Sequence, residues 1–134
     1  MPRPECSPQE NILRAIHEAF WDLTRDRKSS SIFKGTDISV SRLSILGLNE
    51  LFAIFHRKLD GSPNGRIVAG GEINIGNLQR IGREFIPNRT ELAVEEDPEP
   101  DNRAHAVIPQ KISPGLAKTI IEALIIHEDP DLAA

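Results

Sequence analysis

The sequence predicts an α+β fold: a small three- or four-stranded mixed or antiparallel sheet packed with two to three amphipathic helices. Three observations carry this. Apolar residues recur at helical spacing in three separate stretches, and shorter stretches alternate with period two. The two patterns follow one another irregularly, as α, β, α, β, short α, β, β, α, not as repeated βαβ units. The 134 residues suit one domain spanning 1–134, with flexible ends at about 1–6 and 129–134.

The first helix is expected over residues 7–27. Ser7-Pro8-Gln9-Glu10 reads as an N-cap, a proline at the first helical position and a capping-box glutamate, and Ile12, Leu13, Ile16, Phe20 and Leu23 follow as a stripe. His17 and Glu18 lie off that stripe and are assigned to the surface. After a polar loop at Ser29-Ser30-Ser31, residues 38–42 alternate. Ile38 and Val40 lie on one face, Ser39 and Ser41 on the other, and Arg42 falls by parity on the apolar side.

A second helix carries Leu48, Leu51, Phe52, Phe55 and Leu59. Asp60 to Gly65 is a turn by composition. Residues 66–73 form a second strand, with a bulge or close approach at Gly70-Gly71. Asn74 caps a short helix that ends at Gly82. Residues 91–95 make a third strand, residues 97–102 an extended linker stiffened by Pro98 and Pro100, and residues 104–108 a fourth strand. The last helix starts at Ser113-Pro114, runs through Leu116, Ile120, Leu124 and Ile125, and closes at Asp129-Pro130.

The net charge of −4 is unevenly spread. Residues 1–89 hold 13 Lys+Arg and 10 Asp+Glu, and residues 90–134 hold 3 and 10, so the halves carry +3 and −7. The acidic run Glu91, Glu95, Glu96, Asp97, Glu99 and Asp101 reads as a solvated edge. An acidic chain is a poor match to a nucleic-acid binder. No apolar run approaches the ~20 residues of a membrane span. The N-terminus has no apolar signal region, and the lone Cys6 excludes an internal disulfide framework, so a cytoplasmic location is expected.

Several chemistries lack their residues. The glycines near Gly70, Gly71 and Gly76 are followed by Asn77-Leu78 and not by the Lys-Ser/Thr pair of a phosphate loop. His17, His56, His105 and His127 show no metal-ligand spacing, so no metal and no cofactor is expected. No Ser or Cys sits in a nucleophile motif.

Two polar segments remain. The catalytic candidates are Arg42, Asp101 and His105: an inward Arg42 holds an anion, His105 handles a proton, and Asp101 orients His105. The ligand-binding candidates are Ser39, Arg42 and Asn102. The competing reading for Arg42 is an internal ion pair with a carboxylate such as Asp37 or Asp101, and for Asp101 and Asn102 an Asx-turn before a strand.

With no complete catalytic motif, the leading expectation is a non-enzymatic partner-binding or regulatory module that self-associates. Three helices on a small sheet leave one sheet face hard to cover, and Trp21 adjoins the first stripe. The alternative is a small enzyme or nucleotide/anion-binding protein using Arg42 and His105. A second alternative is nucleic-acid association through a basic face formed by Arg57, Lys58, Arg66, Arg80, Arg83 and Arg89.

Overall fold

The computed structural model describes residues 3–22 and 26–130. Its centre is a six-stranded sheet made of β1 (Asn11–His17), β4 (Ile38–Arg42), β5 (Ile67–Asn74), β6 (Glu95–Glu96), β7 (His105–Ile108) and β8 (Ile125–Glu128). The strand order is β6-β7-β4-β1-β5-β8, and every neighbouring pair is antiparallel. A two-stranded ribbon, β2 (Trp21–Asp22) with β3 (Arg27–Lys28), stands apart. Three helices, α1 (Leu48–Leu59), α2 (Ile75–Glu84) and α3 (Pro114–Glu122), complete the α+β arrangement. The sheet is thus larger than the three or four strands expected.

The helices cover opposite faces. On the first face, Ile12, Ile16, Val40 and Ile73 of the sheet pack with α2 and α3 side chains such as Leu78 and Ile120. On the second face, Leu13 and Ile67 pack against Leu51, Phe52, Ile54 and Phe55 of α1.

The largest correction concerns the first helix. Residues 11–17 form β1, next to the middle of the sheet. A strand covered on both faces carries apolar residues on both, Ile12 and Ile16 on one and Leu13 on the other. Their spacing then mimics a helical stripe. The expected N-terminal signal does form its local bonds: the Ser7 N–H donates to Glu10 Oε2 at 3.1 Å, and the Gln9 N–H to Ser7 Oγ at 3.2 Å. They close a turn that launches a strand. His17, assigned to the surface, is half-buried, with Nδ1 2.8 Å from the Gly65 carbonyl. Trp21 is buried in the first-face core. Leu23 and Arg25 lie outside the described residues.

The other elements follow their local chemistry. Glu50 accepts from the Gly47 N–H at 3.4 Å at the start of α1. Asn74 Oδ1 accepts from Asn77 N–H at 3.0 Å and opens α2, which runs past Gly82 to Glu84. Gly82 is not a stop but a contact, since a Cβ there would lie 2.6 Å from the Thr90 carbonyl oxygen. At Gly70 the ladder to β1 is unbroken, and the missing side chain makes room for Leu13, whose Cδ1 would sit 2.8 Å from a Cβ. Ser113 Oγ caps α3 at 3.2 Å.

Strand β6 is confined to Glu95–Glu96, although Leu92 and Val94 are buried as their alternation requires. Residues 97–102 are not simply extended, because Glu99 and Asn102 bridge to each other through reciprocal 3.0 Å bonds. The chain after α3 turns back as β8, which places Ile125 on a strand and not on the helical stripe. Cys6 is buried, and its N–H donates to the Val94 carbonyl at 2.8 Å.

Candidate functional site

Strands β1 and β4 pair only at Ile12 with Arg42 and Leu13 with Ser41. Continued in register, Arg14 would face Val40. The strands part there instead, and the Arg14 side chain bonds one carbonyl of β4 and one of the 3-10 turn Ser30–Ile32. Its Nε donates to the Ile32 carbonyl and its Nη1 to the Ser39 carbonyl, each at 2.8 Å. The parting opens a cleft of about 160 Å³ under α1, with Arg14, Ser39, Ser41, Asn102 and His105 among its lining and Lys58 and Glu99 beside them. Ile54, Phe55 and Leu59 of α1 supply an apolar wall.

Two of its polar groups are fixed and deeply buried: Ser41 is 2% exposed and Asn102 4%. Asn102 Nδ2 donates to Ser41 Oγ at 3.1 Å, and Asn102 Oδ1 accepts from the Ala104 N–H at 3.1 Å. That second bond is the Asx-type contact its sequence position suggests. His105 Nδ1 lies 2.8 Å from the Asp97 carbonyl, which only accepts, so Nδ1 carries the proton. Nε2 is left facing Glu99 Oε1 at 3.9 Å, beyond hydrogen-bond length. Lys58 Nζ binds Glu99 at 2.8 Å and Asp101 at 3.1 Å. Those bonds raise the lysine pKa against the opposing effect of burial, and the same lysine lowers that of Asp101.

The structure therefore brings Ser39, Asn102 and His105 together and separates the other two candidates from them. Arg42 lies on the first face, in register with Ile12, whereas His105 pairs with Ser41 on the second. Each nitrogen of the Arg42 guanidinium is bonded to a carboxylate. Nε and Nη2 reach the two oxygens of Glu10 at 2.8 and 2.9 Å, and Nη1 reaches Glu96 at 2.7 Å. The internal ion pair is present, with Glu10 and Glu96 as its carboxylates in place of Asp37 or Asp101. Asp101 does not orient His105 either. The Glu99–Asn102 turn sends Asp101 to Lys58 and leaves Asp97 beside the imidazole, its Oδ2 3.2 Å from Nδ1. The basic residues do not share a face, since α1 and α2 lie on opposite sides of the sheet. Carboxylates also answer Lys58, Arg66, Arg80 and Arg83 individually.

Arg14 escaped the sequence reading because it sat inside an expected helix. A second cluster was also missed. His56 of α1 lies between two carboxylates, with Nδ1 2.7 Å from Asp60 and Nε2 2.7 Å from Asp129, just beyond β8. The only signal in the sequence is the four-residue spacing of His56 and Asp60, which puts both at the end of α1. With both nitrogens taken, His56 is a brace holding the end of β8 to α1. Burial opposes its charged form, but the bonds to Asp60 and Asp129 outweigh burial and raise its pKa. A raised histidine pKa contributes stability that is full below the unfolded value of ~6.5 and is lost as pH rises through the folded value. Urea midpoints measured from pH 6 to 9 are expected to fall with pH in the native chain and to flatten in His56→Asn. An equal slope in both would contradict the brace.

Among the described residues, no group of three or more His, Cys, Asp or Glu is placed to hold a metal ion, and no helix is long and apolar enough to cross a membrane. The sequence matches no protein-family model, and neither curated proteins nor solved structures yield a match.

Proposed function

We propose that this chain is a non-enzymatic, cytoplasmic binding module that self-associates through the outer edge of β8. The observation that carries this reading is the unequal treatment of the two sheet edges. The β6 edge is closed: Glu96 N–H donates to the Pro4 carbonyl, Cys6 N–H to Val94, and Glu5 bridges Glu95. Pro4 in that outermost segment lacks a donor, a common guard against edge pairing. The β8 edge, Ile-Ile-His-Glu, has no proline, lysine or bulge, and Ile125 is 59% exposed.

Hydrogen-bond parity supports the same edge. The Asp129 N–H donates inward to the Val68 carbonyl at 2.9 Å. In an antiparallel ladder inward and outward residues alternate, so the N–H and C=O of Ile126 and Glu128 point away from β5. A second copy related by a two-fold axis normal to the sheet pairs Ile126 with Ile126 and sets Ile125 beside His127. The result is one continuous twelve-stranded sheet. Ile86 and Ile125 are the large apolar residues exposed among the described residues, so main-chain pairing, not a broad apolar face, is the association mode offered. Catalysis by Arg42 and His105 is not favoured, because the sheet separates the two groups.

Light scattering after gel filtration, at 10 to 200 µM protein, tests the proposal. The mass is expected to rise from 14.9 kDa toward twice that value with concentration. Ile126→Pro removes an outward N–H and leaves the β5 ladder intact, so it is expected to stay monomeric with an unchanged circular dichroism spectrum. A wild-type chain that stays monomeric throughout, or a variant that still dimerises, overturns the proposal.

A further inference from the structure

We propose that the cleft between β1, β4 and α1 is a binding site for a short-chain monocarboxylate, with the carboxylate on Arg14 and the alkyl chain against the α1 wall. The site is independent of the β8 edge. Arg14 contrasts with Arg42: both are drawn inward, but Arg42 meets two carboxylates and Arg14 only two carbonyls. A guanidinium has five N–H donors in a planar fork, and the two carbonyls take two of them. Among the described residues, no carboxylate lies within 4 Å of Arg14. Burial is the one influence on its pKa and pulls it to about 10, still charged at neutral pH. A half-buried cation without a counter-ion is costly, and an anion in the cleft relieves that cost.

Charge and size narrow the ligand. Lys58 is already neutralised by Glu99 and Asp101, and Glu99 itself lines the cleft. With Arg14 and Lys58 set against Glu99 and Asp101 the four charges cancel, so a single negative charge on Arg14 is tolerated better than the two of a phosphate dianion. The cleft of about 160 Å³ is well below the ~300 Å³ at which pockets for drug-sized ligands begin, which excludes a nucleotide. It is about five times the ~30 Å³ share of a water molecule. Ile54, Phe55 and Leu59 give the remainder of such a ligand an apolar surface, while Ser39 and His105 stand among the polar lining.

The test is NMR titration of the wild-type chain with acetate, propionate, butyrate and hexanoate at constant ionic strength, reading the Arg14 Nε–H and the amides of residues 13–15 and 39–41. Saturable shifts are expected, with affinity rising about three- to fourfold per methylene until the cleft is full and then falling. Phosphate and chloride are expected to shift these signals at least tenfold less effectively. Arg14→Gln is expected to weaken butyrate binding more than tenfold. Because that variant also loses bonds to two carbonyls, Ala15→Leu serves as a second: it fills the cleft, keeps the cation, and is expected to abolish the shifts. No saturable shift up to 50 mM, affinity independent of chain length, phosphate binding as well as butyrate, or undiminished binding by Ala15→Leu overturns the proposal.

Discussion

Arg42→Met is expected to lower the unfolding free energy by about 3 kcal/mol, the lower end of the range for removing one partner of a buried ion pair. The lower end applies because the cluster is not sealed: the arginine side chain is 16% exposed, Glu10 13% and Glu96 36%. Methionine fills the space of the stem but leaves Glu10 desolvated, with the Ser44 hydroxyl at 2.6 Å and the Ser7 N–H as its remaining donors. Urea denaturation followed by Trp21 fluorescence measures the loss. The triple variant Arg42→Met, Glu10→Gln, Glu96→Gln is expected to recover most of it, since no charge is then stranded. A loss under 1 kcal/mol in the single variant would show the cluster to be a solvated pair.

The same cluster sets the acid limit. The hydrogen bonds from Arg42 pull the Glu10 carboxyl from 4.5 to about 2, against the opposing effect of burial. A depressed carboxylate pKa contributes stability that is full above the unfolded value and lost as pH falls through the folded one. The native chain is therefore expected to weaken between pH 4.5 and 2, and Arg42→Met to show a shallower fall over that window.

Phe33→Ala is expected to cost about 3–5 kcal/mol, a large share of the ~5–15 kcal/mol that holds a typical domain folded. Phe33 has no exposed surface and follows the 3-10 turn Ser30–Ile32, which packs against α3. Removing the ring leaves a cavity where that turn meets the first-face core. The effect reaches the cleft, because the Ile32 carbonyl next to Phe33 is one of the two acceptors that seat Arg14. A cost below 1.5 kcal/mol by urea denaturation would mean that the turn collapses into the space and is not a fixed anchor.

What the sequence discloses depends on how local the cause is. The α1 stripe, the Asn74 and Ser113 caps and the alternation from Ile38 to Val40 are set by neighbours within four residues, and each forms where expected. β1 and β8 are set by partners far away. Ile12 and Leu13 carry the same side chains whether they face a helix or two layers of a sheet, and only the pairing with β4 and β5 decides between these. The site divides in the same way. Asn102 and His105 stand in a polar segment visible by inspection. The choice of Asp97 over Asp101 as the neighbour of His105 rests on the Glu99–Asn102 turn. Arg14 becomes conspicuous only when the strands on either side of it part.

The strand order also governs how the chain is completed during synthesis. β1, made first, lies between β4 and β5, and both adjoining seams join segments more than 20 residues apart. β4 can close one side of β1 first, but the other side stays open until β5 has been made. Among the described residues, β8 comes last and pairs with β5 alone, and it is fastened through Asp129. A ribosome that has released residues 1–74 has supplied the three central strands but neither the outer strands nor α2 and α3. With few local contacts to reward early collapse, such a chain belongs with the slower folders of its size.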